Sequence, residues 1–159
     1  MIIFDKPIHE GQANGKLFTL KVERSDAIKG RLRIYSEETD EEVAIDLPRG
    51  QNLRNGSVFG PSEEGRFYKI EISPERVVRV TVTTDREDLN SRIKLGYHIG
   101  NHHLEALIDG ENTYLPVTIG EEKVREILRR SDLPLKIDTE ERVLAWYSQN
   151  YFPGEHPAQ

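Results

Sequence analysis

The sequence predicts an α+β chain, with a small all-β domain followed by a ferredoxin-like βαββαβ domain. Three observations carry that expectation. Residues 1–72 alternate apolar and polar side chains, with Asn-Gly and Glu-Gly turn signals between the runs and no helical periodicity. From residue 77 the pattern runs strand, helix, strand, strand, helix, strand. Between the two lies Ser73-Pro74-Glu75-Arg76, where a proline that cannot donate to a ladder coincides with the change of period. The expected organisation is 1–73 all-β and partner- or peptide-binding, 74–140 ferredoxin-like, metal-binding and dimerising, and 141–159 a C-terminal helix with a flexible tail.

Each element has its own signal. Phe18, Leu20 and Val22 alternate with Thr19, Lys21 and Glu23, the period of a half-buried strand. Leu32 and Ile34, then Val43, Ile45 and Leu47, then Ile70 and Ile72 repeat it. Asn14-Gly15, Asn55-Gly56 and Glu64-Gly65 punctuate these runs. Such a unit leaves sheet edges that can accept a strand from a partner. Arg31, Arg33, Arg49 and Arg54 could meet an acidic partner surface, although surface arginines are commonly just solvated.

Beyond Pro74, Val78, Val80 and Val82 form a strand. Thr84 to Glu87 has capping-box spacing, and Leu89, Ile93 and Tyr97 recur every four residues along one helix face. That helix is expected to end at Gly100-Asn101, residues that tolerate the left-handed cap. Leu104–Ile108 and Thr113–Val117 flank Asp109-Gly110 as a hairpin. Thr118 to Glu121 has capping-box spacing again, ahead of the stripe Val124, Ile127 and Leu128. Leu133–Asp138 reads as a last strand, at an edge because of Pro134. Val143, Leu144, Trp146, Tyr147 and Tyr151 are expected on a terminal helix over 140–151 that docks on the body.

Bulk composition narrows the function. At 159 residues, with 36% hydrophobic and 31% charged side chains, the chain suits one domain or two small ones. A net charge of −6 argues against nucleic-acid binding. No apolar run approaches the roughly 18 residues that span a bilayer. Met1-Ile2-Ile3-Phe4-Asp5 lacks a basic region ahead of a long apolar core, so a cytoplasmic location is expected.

Chemistry concentrates at Lys94 to Glu105. Three of the five histidines, His98, His102 and His103, fall here, and there is no cysteine. Imidazole is then the soft neutral ligand available in number. His98 and His102 are four apart and share a helix face, near the end where the backbone dipole favours a cation. Histidines at a helix C-terminus can equally just cap carbonyls. A zinc hydrolase would carry a glutamate directly after the first histidine of such a pair, and Ile99 stands there instead, so the chain is not expected to be an enzyme.

Tyr97-His98-Ile99-Gly100-Asn101-His102-His103 resembles the Tyr-His-Leu-Gly-Asn-Arg-His signature of the UreE family of urease accessory proteins. Lys29-Gly30-Arg31-Leu32-Arg33, Leu47-Pro48-Arg49-Gly50 and Leu53-Arg54-Asn55-Gly56-Ser57-Val58 are similar to the family's N-terminal domain in order and spacing. The resemblance implies a nickel metallochaperone: a homodimer that carries Ni2+ as its transported ion to urease apoprotein, together with other urease accessory proteins. It implies His103 as the bridging metal ligand. His102 replaces the family's basic residue and becomes an extra or alternative ligand. The tail holds one histidine, His156, too few for a reservoir but enough to close over a site. Zn2+ and Cu2+ suit the same donors, so nickel comes from the resemblance and not from the chemistry. The alternative is a protein-binding co-chaperone module whose histidines are incidental.

Overall fold

The computed structural model describes residues 2–154. The chain divides into two compact units, Met1–Ser73 and Pro74–Gln159.

The first unit contains β1 (Ile3–Phe4), β2 (Leu17–Val22), α1 (Arg24–Ala27), β3 (Arg31–Ser36), β4 (Glu41–Asp46), β5 (Val58–Phe59) and β6 (Phe67–Ile72). The strands form two three-stranded sheets, ordered β1-β4-β3 and β2-β6-β5. The alternation read from sequence is the alternation seen. Phe18, Leu20 and Val22 are buried and their neighbours Thr19 and Lys21 exposed. One short helix, α1, was not expected. It spans a single turn between β2 and β3, too short to show helical periodicity.

The second unit contains β7 (Glu75–Val82), α2 (Leu89–Asn101), β8 (Ala106–Asp109), β9 (Asn112–Pro116), α3 (Glu121–Arg129), β10 (Leu135–Arg142) and β11 (Tyr151–Phe152). Its sheet is antiparallel in the order β10-β7-β9-β8-β11. The first four are the ferredoxin-like arrangement, with β10 at an edge. Val78, Val80 and Val82 from β7 pack with Leu95 and Ile99 of α2 and Val124, Ile127 and Leu128 of α3. The opposite face buries Val77, Leu107, Tyr114 and Leu144. Coverage of both faces explains why adjacent Val77 and Val78 are both fully buried.

Several expectations are corrected. The terminal helix does not form. Residues 140–142 instead extend β10, pairing Glu140, Glu141 and Arg142 with Val77, Arg76 and Glu75. Residues 143–150 then turn without helix and bring β11 onto β8, Tyr151 opposite Leu107. Ladder hydrogen bonds from the long β7, and a buried slot for Leu144 and Trp146, outweigh a weak local helix preference in a stretch of aromatics, Ser and Asn. Both helices also start later than their capping-box spacings imply. For α2 the cap is Asp88, whose carboxylate accepts from the Ser91 backbone N–H at 3.1 Å. The Thr84 hydroxyl donates to the same carboxyl group at 2.7 Å. The Thr84 and Ser91 hydrogen bonds hold the Asp88 carboxyl below the usual carboxylate range. For α3 the cap is Gly120, at φ 103.

Leu144 has no exposed surface although it lies in a segment without regular structure. Leu144→Ala should destabilise the second unit by about 2–5 kcal/mol. Urea unfolding followed through the fluorescence of Trp146, the chain's single tryptophan, reads this directly.

Candidate metal centre

Helix α2 is held to the sheet by Leu95 and Ile99, both 5% exposed. The stripe Leu89, Ile93 and Tyr97 faces away from the core, with exposures of 63%, 67% and 75%. Those three residues share a helix face as the sequence implies, but the face is the free one.

The helix runs through Gly100 and Asn101 and reaches its cap at His102. Its left-handed residue is His103, at φ 55, not Gly100 or Asn101. Two hydrogen bonds define this ending. The Leu104 N–H reaches back to the Ile99 carbonyl at 3.2 Å, and the His103 N–H to the Gly100 carbonyl at 3.0 Å. This is the Schellman closure, and Ile99 and Leu104 make its customary apolar contact inside the core. Glycine usually occupies the left-handed position. A histidine there holds its backbone in a region that costs an ordinary residue about 1–2 kcal/mol, and strain of this kind clusters at functional sites. The His103 side chain is exposed, just past the negative end of the helix dipole.

The other histidines of the cluster are tied back. His98 donates from Nε2 to the Ile127 carbonyl of α3 at 2.6 Å. His102 donates from Nδ1 to the His98 carbonyl at 2.9 Å. Their rings lie 4.4 Å apart, centre to centre. His102 therefore rests on His98, across the helix break that Gly100-Asn101 suggested and that does not occur. His9 is exposed and distant in sequence, at the start of a single 3-10 turn. His156 lies outside the described residues. Among the described residues no three His, Asp or Glu side chains converge as a ligand set.

Sequence reasoning missed the backing of this loop. The Tyr151 hydroxyl donates to Glu105. The Ile108 N–H bonds the Asn150 carbonyl at 3.1 Å. Beyond β11, Gly154 sits at φ 70 against the loop backbone. A Cβ added there would stand 2.6 Å from the His103 carbonyl oxygen, 2.9 Å from the Glu105 nitrogen and 3.0 Å from the Leu104 carbonyl carbon. Glycine is required both for the conformation and for the space. The available signal was Pro153-Gly154 itself, which reads as a loose tail unless the strand before it is foreseen.

No family model matches the chain. It is 33% identical over 109 residues to the urease accessory protein UreE of Acinetobacter baylyi, a stretch covering 68% of this chain and 64% of that protein. It is 27% identical over 125 residues to the protein of the same name from Prochlorococcus marinus, covering 79% and 73% respectively. The urease accessory protein UreE 2 of Pseudomonas syringae pv. tomato matches at 38% over 77 residues, 48% of this chain and 43% of that one. These matches support the UreE family for this chain. The matched stretch spans just under two thirds of the Acinetobacter UreE.

Two substitutions test the backbone argument. His103→Gly removes the left-handed strain while loosening the unfolded chain, so stability should stay within about 1 kcal/mol of wild type. Gly154→Ala meets backbone on three sides and should cost more than about 1 kcal/mol. Thermal unfolding compares them, and amide exchange at Leu107 should quicken in the second variant alone.

Proposed function

We propose that this chain is a nickel carrier acting in urease maturation, and that it holds Ni2+ between the His103 side chains of two copies. The observation that carries the reading is the position of His103. An imidazole occupies a left-handed helix terminus where glycine is the cheaper residue, and it projects into solvent at the end of a helix that favours positive charge.

One imidazole binds a divalent ion weakly. A two-fold axis places the same residue twice around one point and doubles the donor set without new sequence. The free stripe Leu89, Ile93 and Tyr97 on the same helix offers apolar surface for that pairing. His102 supplies a further nitrogen from the next residue. Gly154 packs on the His103 carbonyl, which backs the loop that carries this side chain.

Histidine nitrogens and water leave a cation less enclosed than a four-ligand structural site does. Such a site releases its ion to a better donor set, as a carrier must. Release would follow docking on the urease apoprotein and its other accessory proteins. The first unit supports docking through β3, which lies at a sheet edge and carries Arg31 and Arg33 on its exposed side. The same edge favours the second reading, a co-chaperone that binds protein while its histidines stand idle. Carrier chemistry requires no turnover, and the names of the relatives describe accessory proteins.

His103→Ala separates the readings. Calorimetric titration of wild type with Ni2+ should show a tight step at one ion per two chains, with the mass in solution twice the 18.3 kDa of a single chain. The variant should lose that step, at least tenfold in affinity, or about 1.4 kcal/mol. Unchanged tight binding by the variant would overturn the carrier reading. Because protons compete for the same nitrogens, the wild-type step should also weaken as the solution is acidified.

A further inference from the structure

We infer that His98 and His102 form a second metal site, one that each chain owns by itself. It deepens the carrier reading, on which its biological use rests, but its geometry does not depend on a dimer.

A carbonyl oxygen can only accept, so each of the two hydrogen bonds fixes where a proton sits. His98 must carry its proton on Nε2, which donates to the Ile127 carbonyl at 2.6 Å. In the neutral ring the lone pair is then on Nδ1. His102 must carry its proton on Nδ1, which donates to the His98 carbonyl at 2.9 Å. Its lone pair is then on Nε2. Both imidazoles are thus oriented by a backbone carbonyl through one nitrogen and left with a donor nitrogen on the other, the arrangement found around metal-binding histidines.

The spacing agrees. Residues four apart face each other on a helix, and the rings are 4.4 Å apart, tilted by 50°. An ion about 2.0–2.1 Å from one nitrogen of each ring holds the ring centres roughly 4–5 Å apart when the two ligands are adjacent in the coordination shell. The ring centres already stand at that separation. His98 is half-buried and anchored to α3, whereas His102 is exposed. The ion therefore has one fixed and one movable ligand, with water completing the shell. His102 is also next to His103, so a single side-chain rotation carries an ion from this pair toward the shared site.

The test uses the full chain and Zn2+, which is diamagnetic and takes the same donors. In His103→Ala, Zn2+ should still bind at one ion per chain. Long-range nitrogen–proton spectra should show His98 Nδ1 and His102 Nε2 shifting on loading, while His98 Nε2 and His102 Nδ1 keep their protons. His98→Gln and His102→Gln should each abolish that ion by tenfold or more, and the double variant should do no worse than either. In chains that retain His103, wild type should take the shared ion plus one more per chain, and His98→Gln the shared ion alone. Loss of the shared ion with retention of the per-chain ion would sink the dimer reading and leave this one standing. Binding that ignores both glutamine substitutions, or nitrogen shifts at other residues, would overturn it.

Discussion

The structure of the second unit depends on how α2 ends. Its last turn cannot satisfy its own carbonyls, and a Schellman closure recovers two of them through the N–H groups of His103 and Leu104. The closure works because Ile99 and Leu104 enter the same core, which fixes the chain's exit angle. Once that angle is set, a left-handed residue is obligatory at 103. Any side chain there is driven outward. Burial of two aliphatic residues thus determines where an exposed imidazole stands, and the strain at His103 is sustained by the packing on either side of it.

The far side of the sheet secures the same loop from behind. Leu144 packs with Val77, Leu107 and Tyr114 on the face opposite the helices, and this draws the chain across to the β8 edge. Arg142 adds to the anchorage, with its guanidinium 3.9 Å above the Tyr114 ring and 3.3 Å from Asp109. Tyr151 then reaches Glu105, and Gly154 lies on the His103 carbonyl. Two elements far apart in sequence, residues 99–105 and 143–154, therefore converge on one short stretch of backbone.

Legibility followed the range of the determining interaction. The apolar-polar alternation of β2 and the βαββαβ order are local patterns, and β2 was readable because it has one wet and one dry face. The histidine cluster was readable from residue type. Three features were not. The strand extension over 140–142 depends on β7 having an unpaired edge beside it, a fact absent from the local sequence. The late starts of α2 and α3 arise because Asp88 and Gly120 take the cap positions ahead of the Thr-x-x-Glu spacings. The left-handed residue fell on His103, and Gly100 and Asn101 stayed helical, because core register outweighs the backbone preference of two flexible residues by more than their roughly 1 kcal/mol cost in a helix. In each case a tertiary contact overrode a propensity.

The proposed carrier role sets opposing demands on the histidine cluster. Tight capture calls for many fixed donors, and prompt release calls for few. Histidines oriented by backbone carbonyls lower the entropic cost of capture without adding ligands, since the rings are held before the ion arrives. In the proposed scheme His98 is fixed by α3, His103 by the helix ending, and His102 lies between them, exposed and hinged at its own side chain. Capture then draws on preorganised nitrogens, while release asks only that one of them turn.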